Sequence, residues 1–202
     1  MVSLTLLIQK IREKKMEKAK ILIAYGTRYG ATTGTAEEIA KVLREEGFEV
    51  KDVNLKEEKV KDISEYELVI IGSGMKMNMW TSKAKAFLNK FSSELKKKKV
   101  AFFVSSGGRA LMEYKGEHEE IDRITKKYLK DKASKYGLNP ISMIMFGGIW
   151  DYNQMGKIYR KFLDAEKENF IPAGFKETEP GVYDSRNWDE IRKWAKELAS
   201  KI

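Results

Sequence analysis

Three runs of apolar residues in this chain do not alternate with polar ones, and they constrain the fold more than any other feature. They are Ile21–Tyr25, Leu68–Ile71 and Val100–Val104. Short continuous apolar runs are typical of strands that are covered on both faces. In the stretches that follow them, apolar residues recur every three or four positions, as on one face of a helix. The pattern therefore predicts an α/β fold in which a parallel sheet lies between helices.

The remaining elements extend this pattern to five strands. Phe48–Val53 alternates as an edge strand would, and Ile141–Phe146 is a fifth apolar run. Asn187 and Glu190 form a capping pair before a last helix. Residues 149–186 are rich in aromatic side chains and are predicted to be an insertion before that helix, with a short helix around 158–168. Residues 16–202 are thus predicted to form a single domain.

Residues 1–15 precede the first strand and have a different character. Leu4, Leu7, Ile8 and Ile11 are spaced as one helical stripe, followed by basic residues, which predicts a short basic amphipathic extension. Packing against a sister chain or the same domain is favoured over membrane contact. The segment has neither the order of a secretory signal nor the length of a membrane span. We expect a cytoplasmic protein, with peripheral contact at the inner face of the membrane as the alternative.

Composition limits the chemistry. The 202 residues include no Cys and one His, and the net charge is +9. Thiolate chemistry and zinc–thiolate sites are excluded, and a metal site or triad based on His is not expected. Redox work would need a bound cofactor. A basic chain is compatible with an acidic partner, an anionic membrane surface or nucleic acid, but aromatic residues are not interleaved with basic ones in a nucleic-acid motif.

The turn after the first strand carries the clearest functional signal. It runs from Thr27 to Thr32 and is built of Gly and hydroxyl residues. The helical stripe that follows predicts a helix from Ala36 to Gly47. Unpaired N–H groups at a helix start can bind phosphate, so the turn is interpreted as a phosphate site. The alternative is that Thr35 and Glu38 form a capping box, which would satisfy those N–H groups without a ligand.

Two further turns should lie at the same edge of the sheet, because ligands of open parallel sheets bind beyond the carboxyl ends of the strands. These turns are Ser73–Trp80 and Ser105–Arg109. Backbone groups and the side chains of Met75, Met77, Met79 and Trp80 would flank a planar ring. A phosphate-bearing aromatic cofactor fits this arrangement, and flavin mononucleotide (FMN) is the economical choice. The alternative is that the Met cluster fills a core or a partner groove. The predicted cofactor-binding residues are Thr27, Arg28, Tyr29, Gly30, Ala31, Thr32, Ser73, Gly74, Met75, Lys76, Met77, Asn78, Trp80, Ser105, Ser106, Gly107, Gly108 and Arg109.

The segments Tyr25–Thr32 and Ala36–Ala40 resemble the phosphate loop and first helix of flavodoxin-like proteins. Three other segments, Val69–Gly74, Phe146–Gly148 and Val182–Trp188, look more like the menaquinone-dependent protoporphyrinogen oxidase branch. The resemblance covers most of residues 18–202 and implies a three-layer fold with strand order 2-1-3-4-5. It also implies FMN, with Thr27–Thr32 at its phosphate.

Two functions follow from the resemblance. The leading hypothesis is an FMN-dependent oxidoreductase, in which a porphyrinogen-like substrate gives a hydride to the flavin and a quinone or another acceptor removes the electrons. Arg109, Trp150, Asp151 and Tyr152 follow strand ends and are predicted on the substrate side. The alternative is a flavodoxin-type electron carrier with a redox partner, although the positive charge and the lack of an aromatic residue in Ser105–Arg109 depart from that pattern. Homo-oligomers are compatible with both hypotheses, and nucleic acid is the least favoured partner.

Overall fold

The computed structural model describes residues 18–202, so the amphipathic extension predicted for 1–15 lies outside the described residues. Five strands form one parallel sheet with the order β2-β1-β3-β4-β5, which confirms the predicted fold and strand order. The strands are β1 (Lys20–Gly26), β2 (Glu49–Asn54), β3 (Leu68–Gly74), β4 (Lys99–Ser105) and β5 (Ser142–Phe146).

The helices lie on both faces of this sheet. They are α1 (Ala31–Glu45), α2 (Ser82–Leu95), α3 (Gly108–Tyr114), α4 (His118–Thr125), α5 (Asp131–Tyr136), α6 (Lys157–Asp164) and α7 (Trp188–Ala199). A π-helical turn, Lys126–Lys130, joins α4 to α5. Gly137 caps α5 in the left-handed conformation. The short helix α3 was not predicted.

Successive residues of each central strand face opposite layers, which explains why the apolar runs are continuous. In β1, Leu22 and Ala24 pack with α2 and α5. Ile21 and Ile23 instead pack with α1 and α7 on the other face. A strand between two helical layers buries every side chain, so it has no polar face.

Residues 149–186 form a second, smaller sheet. Its strands are β6 (Ile149–Asp151), β7 (Lys176–Glu179) and β8 (Val182–Asp184), paired antiparallel in the order β6-β8-β7. The predicted short helix corresponds to α6 and a 3₁₀ turn, Lys167–Asn169. An aromatic cluster centred on Phe170 forms a third core between this sheet and α6.

Candidate functional site

Three strand ends meet at the carboxyl edge of the main sheet, as the sequence predicted. They surround a narrow cavity of about 20 Å³, here called the central cleft. Its lining residues are Thr27, Arg28, Tyr29, Ala31, Thr32, Gly74, Met75, Lys76, Ser105, Gly107, Gly148, Ile149, Trp150 and Tyr159. Backbone hydrogen bonds hold the strand ends together, since Met75 N–H donates to Ser105 and Ser106 N–H donates to Phe146.

The helix after β1 begins five residues earlier than its apolar stripe predicted. It starts at Ala31 rather than Ala36, and Gly30 precedes it in the left-handed conformation at φ 84°. The predicted capping box is therefore wrong, because Thr35 and Glu38 lie inside the helix. Thr35 Oγ1 donates to the Ala31 carbonyl, and the Glu38 carboxylate pairs with Arg192. Thr32 and Thr35 are buried like the apolar residues that follow them, but they carry hydroxyl groups, so the apolar stripe missed the first turn.

The early helix start leaves polar groups of the first turn without partners. Thr27 Oγ1 accepts a hydrogen bond from Gly30 N–H at 3.1 Å. Within residues 18–202, the N–H groups of Arg28, Tyr29, Ala31 and Thr32 have no acceptor. The first turn therefore presents several free donors beside the positive end of a helix dipole.

Two buried hydroxyl groups in the central cleft also lack partners. Thr32 is 1% exposed and Ser105 is 4% exposed. Neither Oγ atom has a hydrogen-bond partner within the described part of the chain. A buried polar group left unpaired costs about 1–3 kcal/mol, so both groups point to a ligand that would satisfy them.

The second turn reverses the chain tightly after β3. Lys76 and Met79 exchange two backbone hydrogen bonds, and the residues between them, Met77 and Asn78, have φ of 48° and 62°. Positive φ at both central positions is typical of a type I′ turn. The turn places the Lys76 ammonium 2.6 Å from the Tyr29 hydroxyl and over the Tyr29 and Tyr159 rings.

A side cleft extends from the central cleft between the second and third turns. It is lined by Met75, Lys76, Met77, Asn78, Ser106, Gly107, Gly108, Met112, Glu120, Ile124, Tyr128, Trp150 and Tyr159. The Asn78 side chain accepts a hydrogen bond from Tyr128, which connects the second turn to the helical layer. Burial raises the pKa of the Tyr128 and Tyr159 hydroxyls, so both remain uncharged at neutral pH.

Trp80 does not line either cleft, contrary to the prediction that it would flank a planar ring. It is 2% exposed, packs edge-on against Phe102 and donates to the Tyr128 carbonyl at 2.9 Å. Ser73 also faces away from the clefts, since its Oγ accepts from Thr81 N–H at the start of α2. Both residues support the second turn from the core side.

Arg109 is likewise directed away from the clefts. Its guanidinium contacts both Glu190 carboxylate oxygens, at 2.8 and 3.0 Å, as well as Glu113 and the Met145 carbonyl. These bonds join α3 to α7 and β5. Because four of its five N–H donors bind other parts of the protein and it lines neither cleft, Arg109 is not placed as the predicted cofactor or substrate contact.

Of the other predicted substrate-side residues, only Trp150 reaches the site. Its ring lies over Gly107, where a Cβ atom would be 2.5 Å from Trp150 Nε1. Asp151 is buried and accepts bonds from Asn153 and Gln154 within a turn. Tyr152 packs in the aromatic cluster of the small sheet. Trp150 alone therefore stays a candidate for contact with a ligand.

Sequence reasoning missed Gly148, Ile149 and Tyr159, which also line the central cleft. Gly148 and Ile149 directly follow the end of β5, so the rule that placed the other three turns could have found them. Tyr159 comes from α6, and no local pattern indicates that this helix returns to the cleft.

Two kinds of site are absent from the part of the chain that the structure describes. No three His, Asp or Glu side chains in it are grouped so that they could hold a metal ion. Among residues 18–202 there is also no helix with the length and apolar surface that crossing a membrane requires.

The family model for the flavodoxin domain matches residues 22–166, which include the first, second and third turns. The chain belongs to the flavodoxin domain family. Its match begins in β1 and ends just after α6, so both sheets contribute to it. No curated protein sequence matches this flavodoxin-domain chain significantly.

Solved structures share the fold at low sequence identity. Rubredoxin oxygen:oxidoreductase from the anaerobe Desulfovibrio gigas is 17% identical with a TM-score of 0.56, over 98% of this chain and 40% of that one. A flavodoxin from the domain Archaea is 16% identical with a TM-score of 0.51, over 90% of this chain and 97% of that one. A short-chain flavodoxin associated with a non-canonical PDU bacterial microcompartment is 12% identical with a TM-score of 0.53, over 91% and 98%. This chain thus spans less than half of the Desulfovibrio protein, and these structures establish the fold alone.

Proposed function

We propose that this flavodoxin-domain protein binds FMN at the carboxyl edge of its main sheet and uses it to transfer electrons. Membership of the flavodoxin family supports the cofactor. So do the two connected clefts, of which one is lined by free backbone donors and the other mainly by uncharged side chains and glycines, together with Lys76 and Glu120. An FMN molecule has a matching anionic end and a planar end.

The observation that carries the proposal is the set of unpaired groups around the first turn. The N–H groups of Ala31 and Thr32 and the buried hydroxyls of Thr32 and Ser105 face one cavity and have no acceptor among residues 18–202. The groups of Ala31 and Thr32 would donate to the phosphate and the Ser105 hydroxyl to a ribityl oxygen, and hydrogen bonds to a charged acceptor are the stronger kind. The exposed Arg28 guanidinium would add a cation at the same turn.

The flavin ring would lie in the side cleft, between the second turn and residues Ser106–Gly108. Bound FMN supplies an isoalloxazine ring that accepts and releases electrons singly or in pairs. Trp150 and Tyr159 would exclude water from it. The Lys76 ammonium would favour negative charge on the ring, since opposite charges at short range attract strongly in a partly buried site.

Binding of flavins to Thr32→Ala and to its neighbour Thr33→Ala tests the proposal, because Thr33 lines none of the clefts. Thr32→Ala should weaken FMN binding about tenfold, the effect of losing one charge-assisted hydrogen bond. It should leave riboflavin, which has no phosphate, unaffected, and Thr33→Ala should bind both like the parent. Fluorescence quenching of added flavin measures this. Failure of the parent protein to bind FMN at micromolar concentration would reject the proposal.

The finer function has two candidates. Oxidation of a porphyrinogen-like substrate with a quinone acceptor rests on the resemblance of Val69–Gly74, Phe146–Gly148 and Val182–Trp188 alone, and the names of the matched proteins do not mention it. Electron transfer without a substrate of its own fits the flavodoxin matches more directly, and we favour it. Saturable oxidation of protoporphyrinogen by the FMN-loaded protein with a menaquinone analogue would reverse that preference.

A further inference from the structure

A third depression adjoins the central cleft on the α2 side, and its lining is strongly basic. This basic cleft has a volume of about 400 Å³ and shares Thr27, Arg28, Tyr29 and Lys76 with the central cleft. Its remaining lining residues are Gly26, Lys56, Thr81, Ser82, Lys83 and Gln154. Four cations therefore surround an opening that has no carboxylate in its lining.

No carboxylate in the described part of the chain neutralises these cations. Within residues 18–202, Arg28, Lys56, Lys76 and Lys83 form no ion pair, whereas Lys20 and Lys51 pair with glutamates at 2.6–2.7 Å. Unpaired like charges around one opening repel each other and produce a positive potential beyond the surface. A surface of this kind attracts an acidic partner and raises its rate of association.

Two exposed apolar side chains lie close to one of these cations, Lys76. Met77 and Met79 are 69% and 52% exposed, although apolar side chains of this size are usually buried. They belong to the second turn, directly beside Lys76. Protein interfaces commonly combine an apolar centre, in which Met is enriched, with a polar rim.

We propose that the four cations of the basic cleft, together with Met77 and Met79 of the adjoining second turn, form a docking surface for an acidic redox protein. The proposal rests on the proposed function in one respect, because the docked partner would exchange one electron with flavin in the adjacent clefts. The electron transfer itself forms and breaks no bond, since the reduced centre of the partner loses the electron and the flavin gains it. A proton from hydronium in the surrounding water then balances the charge, forming an N–H bond on the flavin as an O–H bond breaks.

The exposure of the cations favours a protein over a small anion. Arg28, Lys56 and Lys83 are all exposed on long side chains, and none is held in a fixed position by a carboxylate. Small anions are usually held by fixed backbone donors, as in the first turn. Mobile surface charges act instead over several ångströms of solvent, which suits the encounter of two proteins.

The test measures binding of the purified protein to an acidic plant-type [2Fe–2S] ferredoxin by calorimetry at low and high salt. The charge-reversal variant is Lys56→Glu/Lys83→Glu, since both residues lie outside the cofactor clefts. The matched control is Lys97→Glu/Lys201→Glu. It changes the net charge equally at the opposite edge of the sheet, where Lys99 Nζ contacts the Lys201 carbonyl.

We expect Lys56→Glu/Lys83→Glu to weaken ferredoxin binding about tenfold and the control pair to change it less than twofold. Raising NaCl from about 50 to 300 mM should weaken binding of the parent protein by a similar factor. Equal effects of the two variants would overturn the proposal, since net charge alone would then explain the binding. Failure of the parent protein to bind ferredoxin at low salt would overturn it as well.

Repeating the titration without and with FMN separates this proposal from the proposed function. Ferredoxin binding that depends on Lys56 and Lys83 in a protein unable to bind FMN would reject the flavin and retain the docking surface. In the FMN-loaded protein, the rate of flavin reduction by ferredoxin should fall with the Lys56→Glu/Lys83→Glu change. The rate of electron transfer to cytochrome c, a basic protein, should rise. Rates that change in the same direction for both partners would contradict an electrostatic docking surface.

Discussion

The two sheets of this protein are stabilised in different ways. The main sheet has five parallel strands whose apolar side chains pack against helices on both faces. The small sheet has strands of only three or four residues, and it is held by aromatic packing around Phe170. The central cleft lies where the sheets meet, with Gly107 from one and Trp150 from the other in close contact. The main sheet thus provides the hydrogen-bond donors of the site, and the small sheet provides Trp150, which lines one side of it.

Removing the Phe170 ring should show most clearly that the two sheets are stabilised in different ways. Phe170 is fully buried against Trp150, Phe175 and Tyr183. We expect Phe170→Ala to destabilise the small sheet by about 3–5 kcal/mol. Hydrogen exchange should then accelerate in β6, β7 and β8 and change little in β1 and β3.

The matched variant Phe102→Ala removes an equally buried ring from β4 of the main sheet. It should accelerate exchange in the main sheet and in the helices on both of its faces, because they pack on that sheet. If Phe170→Ala also accelerated exchange uniformly, the two sheets would form one cooperative unit and the comparison would fail.

Arg109 tests whether the third turn has a structural or a binding role. Its contacts with Glu190 and Glu113 connect helices around the main sheet. Arg109→Gln should lower the free energy of unfolding by about 1–3 kcal/mol, since Glu190 would be left partly buried without its partner. FMN affinity should remain within twofold of the parent. Loss of FMN binding in an Arg109→Gln variant that remains folded would show instead that Arg109 contributes to the cofactor site.

Tyr152 gives the small sheet its own dependence on pH. Burial is the main cause that raises the pKa of its hydroxyl to about 12, and Asp164 adds to it. The unfolded chain ionises near the ordinary value of 10, so the contribution to stability is complete below pH 10 and is lost between pH 10 and 12. Tyr152→Phe should reduce this alkaline loss in urea titrations, and it should change stability at pH 7 by no more than about 1 kcal/mol. An unchanged alkaline profile would show that Tyr152 is not the group responsible.

The smallest expected effect concerns the second turn, where the main sheet faces the small one. Met77 holds φ at 48°, a conformation that Asn adopts more readily than other non-glycine residues. Met77→Asn should therefore raise the free energy of unfolding by about 0.5 kcal/mol. Met79→Asn is the control outside the left-handed region and should not stabilise the protein. Thermal unfolding would distinguish them, and a gain in both would point to a cause other than backbone strain.

The difference between the two sheets also explains which predictions from the sequence were confirmed. Continuous apolar runs revealed β1, β3 and β4 because burial on both faces leaves a local trace in the sequence. The first turn was found for a similar reason, since Gly and hydroxyl residues directly follow a buried strand. The start of α1 was missed because Ala31–Thr35 lie before the apolar stripe, and the direction of Trp80 could not be inferred from its position in a turn.

The sequence by itself determined the main sheet, its layers and the edge at which a ligand would bind. These features depend on hydrophobic periodicity and on residues adjacent in the chain. Only the tertiary structure decided that the Arg109 guanidinium pairs with Glu190 and that Tyr159 faces the central cleft. It also brought Lys56 and Lys83 to one opening beside the cleft. Such contacts join residues distant in sequence, and their formation depends on how helices pack over the sheet, for which no local pattern exists.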